Sequence, residues 1–128
     1  LSSDVTAAMN PVYKSVHDIE NVARLSYGLA FAKYTGSRGK SMANDADAEF
    51  IQEIRQIFDK NEIKYQSGGF GKVDEGGGGT VAKFLAYYGI RTIDAGPALL
   101  SMHSLFEISS KADLYETYRA YKVFFELN

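Results

Sequence analysis

The chain has 128 residues, 45% of them hydrophobic and 23% charged, with a formal net charge of −2. That composition suits one domain with its own core, lies outside the range of disordered chains, and lacks the Lys/Arg excess of a general nucleic-acid binder. With no Cys, disulfides and thiolate metal sites are excluded, so any metal must take His, Asp, Glu or backbone oxygen.

"LSSDV" (1–5) reads as the exit from a strand, with a segment expected before it. His17, among charged residues in "YKSVHDIEN", reads as a surface side chain. "YGLAFAKY" (27–34) reads as a buried strand ending at the turn signal "TGSRGK". In "NDADAEFIQEIRQIFDKN", Phe50, Ile51, Ile54, Ile57 and Phe58 recur at helical steps, acids fill the first turn, and Asn44 is the expected cap. "EIKYQ" (62–66) is a short strand, followed by a glycine-dense loop from Gly68 to Gly79. "TVAKFLAYY" reads as a helix closed by Gly89, and "IRTID" (90–94) as the next strand. In the last segment, Ser110 and Asp113 form a capping-box pattern ahead of Leu114, Tyr118, Tyr121 and Phe125 on one helical face.

This alternation predicts an α/β fold: a mostly parallel sheet flanked by helices, in one unit spanning residues 1–128. Ligand sites in such folds lie in loops beyond the carboxyl ends of strands. Asp4, Thr80 and His103 fall in or beside three such loops. No apolar run approaches the roughly 18 residues of a membrane span, and no signal-like segment opens the chain, so an intracellular, cytoplasmic location is expected, without membrane or nucleic-acid partners.

On residue type alone, His103 reads first as a partly buried imidazole bonded to Ser101 or Ser104, and Asp4 as a turn former or helix cap. "DEGGGGTVAKF" (74–84) offers backbone N–H groups ahead of a helix, as a phosphate cradle does, but lacks the Lys and Ser or Thr that should follow the last glycine. "GSRGKS" (36–41) ends like a Walker motif, yet Tyr34 stands where its first glycine belongs. A small nucleotide-binding domain and a noncatalytic α/β scaffold or assembly module therefore remain alternatives.

"SSDVTAAMNPVY", "NDADAEF", "GKVDEGGGGTVAKFLA" and "IRTIDAGPALLSMHSLFEISSKADLYETYRAYKVFFE", in this order, resemble the carboxyl-terminal part of an M18-family, aspartyl aminopeptidase-like zinc metalloaminopeptidase. The resemblance implies a partial dinuclear zinc-exopeptidase catalytic domain that removes the amino-terminal residue from peptides, in a homo-oligomeric enzyme. It implies that Asp4 and His103 each hold one of two zinc ions, with Ser101 or Ser104 orienting the histidine, and that Gly78, Gly79, Thr80 and Met102 line the substrate site. The family's His-x-Asp and Glu-Glu segments, which supply the general base and the other ligands, have no counterpart here, so this segment alone is expected to be inactive. Thr6, Ala7 and Ala8 stand where the aspartyl-specific pattern has a histidine, which argues against a preference for acidic residues.

Overall fold

The structure is a computed structural model that describes residues 1–36, 44–69, 71, 72, 75 and 77–127; the Gly-Lys-Ser run at 39–41 lies outside them. Along the chain come β1 (Thr6–Ala7), a 3₁₀ turn (Lys14–Val16), β2 (Leu29–Ala32), α1 (Ala48–Lys60), β3 (Tyr65–Ser67) and α2 (Ala82–Tyr87). β4 (Asp94–Gly96), β5 (Ala98–Leu100), β6 (Ile108–Ser109) and α3 (Lys111–Phe125) follow.

The strands form two three-stranded sheets, ordered β3-β2-β4 and β1-β5-β6. β2 runs parallel to β3 but antiparallel to β4, and β5 runs parallel to β1 but antiparallel to β6. The mixed α/β class holds, while the mostly parallel sheet expected from the alternation does not. The connection between the parallel strands β2 and β3 carries α1, a crossover of the kind parallel strands require. β6 instead returns directly beside β5 after a short turn, which favours an antiparallel pair.

The main core packs Leu29 and Phe31 of β2 against Phe50, Ile54 and Phe58 of α1, with Ile63, Ile93, Ala95 and Ala120. The Phe31 and Phe58 rings stack with centroids 5.5 Å apart. The apolar period of α1 thus faces the core as expected, with Ile51 and Ile57 at its margin. The cap is Asp47 and not Asn44: Asp47 Oδ1 accepts the N–H of Phe50 at 2.7 Å, whereas Asn44 is buried and donates from Nδ2 to the Thr92 carbonyl. The strand expected at 90–94 starts only at Asp94 and runs on to Gly96.

α3 departs most from its pattern. Its buried residues are Asp113, Thr117 and Ala120, while Leu114, Tyr118 and Phe125 are exposed. Ser110 does stand at the cap but makes no side-chain capping bond. Asp113, expected to complete the capping box, turns inward and accepts the N–H groups of Ser26 at 2.8 Å and Gly28 at 2.7 Å. Tyr121 anchors the same helix to β4 by donating its hydroxyl to the Ala95 carbonyl. The core-facing stripe of α3 combines Asp113 and Tyr121, which dock on backbone N–H and C=O groups, with Ala120, Val123 and Phe124, which pack on the apolar core.

Candidate metal and substrate site

The first eight residues lie along residues 93–99 in one constant register. Ser2 N donates to Ile93 O at 2.8 Å, Ala95 N to Ser2 O at 2.9 Å, Thr6 N to Pro97 O at 3.3 Å and Ala8 N to Leu99 O at 2.7 Å. The ladder is broken in the middle, where Asp4 N turns back to Ser2 O at 3.0 Å. This tight bend presses the Asp4 carbonyl onto Gly96, where a Cβ would lie 2.1 Å from the Asp4 oxygen. Asp4 therefore sits in a gap in strand pairing, just after the parallel bridge of Ser2 to Asp94 and before β1. Its Oδ1 accepts the N–H of Val5 at 2.8 Å, which fixes the carboxylate and leaves Oδ2 without a hydrogen bond among the described residues.

His103 does follow a strand's carboxyl end, that of β5. The turn that carries it places two non-glycine residues in the left-handed region, Ser101 at φ 59° and His103 at φ 67°. Such conformations cost about 1–3 kcal/mol each and concentrate at functional sites. They are held by Ser104 N donating to Ser101 O at 3.0 Å and by His103 N donating to Glu107 Oε1 at 2.5 Å. Neither serine orients the ring as expected: Ser104 Oγ donates to the Phe106 carbonyl at 2.7 Å, and Ser101 is exposed. The supporting carboxylate is Glu107, which acts through the backbone of His103 and not through its imidazole.

Between these two residues lies the end of the glycine loop. Gly36 N donates to Gly78 O at 2.8 Å, and Thr80 Oγ1 donates to Asp94 Oδ2 at 2.7 Å. Asp94 is buried, and burial pushes its carboxyl above the ordinary carboxylate range, opposed by the hydrogen bond from Thr80. Thr80 is thus tied to the first residue of β4, and the three glycines before it are held over the same edge as Asp4.

Asp4, His103, Gly78, Gly79, Thr80 and Met102 all line one cavity of about 400 Å³, together with Ala7, Val16, His17, Gly71 and Gly77. Segments far apart in sequence converge there. Among the described residues that lining contains no Lys or Arg, the cation a phosphate cradle would add.

His17 was not expected there. It is only 7% exposed, against the surface position its neighbours suggested, and burial lowers its pKa. Its charged neighbours misled because they flank a 3₁₀ turn rather than a helix, which lets one side chain point inward while Lys14 and Asp18 face out. Gly96 and Asp94 also escaped the sequence reading, since their roles depend on what lies across the sheet edge.

The donor set suits a hard or borderline cation such as zinc: one carboxylate with an oxygen to spare and one imidazole whose ring carries no hydrogen bond among the described residues. It is also incomplete, because zinc takes about three or four protein ligands and no cluster of three His, Cys, Asp or Glu occurs among the described residues.

A family model described as aminopeptidase I zinc metalloprotease (M18) matches residues 1–125. A probable M18 family aminopeptidase 1 from Borreliella afzelii is 61% identical over 126 residues, covering 98% of this chain and 28% of that protein. The crystal structure of an M18-family aminopeptidase from Thermotoga maritima superposes with a TM-score of 0.93 at 57% identity, covering 98% of this chain and 28% of that one. PhTET1-12s, solved with a dodecamer in the asymmetric unit, shares the fold at a TM-score of 0.70 and 20% identity, covering 97% of this chain and 32% of its own. The chain therefore spans little more than a quarter of the length of the Borreliella and Thermotoga proteins.

Proposed function

The chain belongs to the M18 family of zinc metalloproteases, the aminopeptidase I family, and from that membership we propose that it forms the carboxyl-terminal part of the catalytic domain of a two-zinc aminopeptidase. The complete enzyme removes the amino-terminal residue from peptides. The observation that carries this reading is the convergence of Asp4, the Gly78–Thr80 segment and His103 on one cavity. Asp4 and His103 would each hold one zinc, and the missing ligands and general base come from the remainder of the polypeptide. Bound there, zinc supplies Lewis-acid polarisation of a peptide carbonyl and acidifies the attacking water. The backbone N–H groups of the glycine loop, fixed by Thr80 on Asp94, line the path of the substrate main chain.

This division of labour fits the surface of the chain. Leu105, Phe106 and Phe125 are 96%, 85% and 81% exposed, and Tyr115 and Tyr118 stand open on α3, more apolar surface than a self-contained unit leaves uncovered. The rest of the enzyme and neighbouring subunits of a homo-oligomer would cover it. By itself the chain would hydrolyse nothing.

The test uses the complete polypeptide, with zinc per chain and peptide hydrolysis as readouts. Asp4→Asn and His103→Ala should each lose one zinc and nearly all activity while the protein stays folded. Two zinc ions per site in either variant would overturn the assignment, and binding of a nucleotide in place of zinc would restore the nucleotide-domain reading.

A further inference from the structure

The ring of His17 is built into the wall between two cavities. It lines the one that holds Asp4 and His103, and also a second of about 300 Å³ lined by Asn10, Tyr13, Leu99 and Leu100. The turn that carries it is organised by Asn10, whose Oδ1 accepts the N–H groups of Val12 at 2.9 Å and Tyr13 at 3.2 Å. The backbone N–H of Asn10 in turn donates to His17 Nε2 at 3.1 Å. A nitrogen that accepts from a backbone N–H carries no proton, so the neutral ring holds its proton on Nδ1. That Nδ1 is buried and has no hydrogen-bond partner among the described residues. Asn10 lines only the second cavity, whereas the His17 ring lines both, with Nε2 engaged and Nδ1 unpaired in the wall between them.

A buried donor whose tautomer is fixed by the backbone, beside a site that binds peptide, lacks only an acceptor. We propose that His17 is a substrate-positioning residue whose Nδ1–H donates to a carbonyl oxygen of the bound peptide. This rests on the aminopeptidase reading of the same cavity. A protonated Nδ1 and an engaged Nε2 cannot ligate a metal, so His17 is separate from the zinc-holding pair Asp4 and His103. A carbonyl held this way is gripped equally before and during bond cleavage, so its loss falls on KM and not on kcat.

Two substitutions in the complete enzyme separate this role from a structural one. His17→Gln places an amide oxygen where Nε2 accepts from Asn10 but removes the donor at Nδ1. His17→Asn places an amide nitrogen near Nδ1 but abandons Asn10. With zinc content unchanged, His17→Gln should keep its melting temperature and raise KM for peptides about tenfold, with kcat within about twofold. His17→Asn should melt lower yet retain a KM nearer that of the wild type. An unchanged KM in His17→Gln, or a larger KM defect in His17→Asn than in His17→Gln, would overturn the proposal and show that Nδ1 is satisfied by water or serves only the turn. Zinc loss on changing Asp4 or His103 is read separately, so failure here leaves the aminopeptidase reading standing.

Discussion

The backbone of Asp4 rests directly on Gly96: a Cβ added to the glycine would lie 2.1 Å from the Asp4 carbonyl oxygen and 2.9 Å from its carbon. Both atoms are main chain, so no side-chain rotation relieves the clash. Gly96→Ala should therefore push the residue 2–8 segment off β4, costing at least the 1–3 kcal/mol or so typical of overpacking, and displace the Asp4 carboxylate. Calorimetry and zinc analysis of the complete protein check this: a lower melting temperature with reduced zinc is expected, and a wild-type zinc content would show that Asp4 tolerates the shift.

The hydroxyl of Thr80 is the anchor of the glycine loop on β4. Thr80→Val keeps the shape but removes the hydrogen bond that buried Asp94 accepts at Oδ2. The expected loss is about 1–3 kcal/mol of stability, with a higher KM from a loosened loop; Thr80→Ser should restore both. Because burial raises the Asp94 pKa, its charged form opposes folding, and this contribution to stability is present below the ordinary value of 3.8 and lost as pH rises through the folded value. The penalty of Thr80→Val should accordingly grow from pH 4 toward neutrality, as melting curves across that range will show.

What could be read from the sequence was whatever repeats along it. The period of Phe50, Ile54 and Phe58 marks the core face of α1, and the glycine after Tyr88 marks the end of α2, because both signals are local. Asp4, His103, Gly78, Gly79, Thr80 and Met102 came through resemblance, and the fold brings all six to one cavity. Strand direction was lost because alternation of strand and helix does not say on which edge a strand returns. α3 was misread for a related reason: much of its apolar stripe is exposed, while its docking face uses Asp113 and Tyr121 to satisfy distant main-chain groups. His17 escaped because a 3₁₀ turn has too few residues to show a period.

Asp113 offers a stability test independent of the site. Its fully buried carboxylate takes two backbone N–H groups, those of Ser26 and Gly28, from the loop that enters β2. Asp113→Ala strands both donors and should cost about 2–6 kcal/mol, summing the roughly 1–3 kcal/mol for each unpaired group. Asp113→Asn keeps one oxygen acceptor and should lose about half as much. Denaturant melts of the three proteins decide it; equal stability of Asp113→Ala and Asp113→Asn would show that water replaces the carboxylate.

His17 also gives the folded protein a pH signature. Burial lowers its pKa below the ordinary 6.5, so the folded ring stays neutral where the unfolded one takes up a proton. Between the folded and the unfolded pKa the unfolded state binds more protons, and stability rises with pH by at most about 1.4 kcal/mol per pH unit for this one group. The contribution is fully present above pH 6.5 and is lost as pH falls through the folded value. Relative to His17→Gln, which has no titrating ring, the wild type should lose melting temperature when pH drops from above 6.5 to well below it. The direction follows from burial alone: a wild type that gains on His17→Gln upon acidification would mean that the buried ring is held by an anion, with Asp4 in the same cavity the first group to examine.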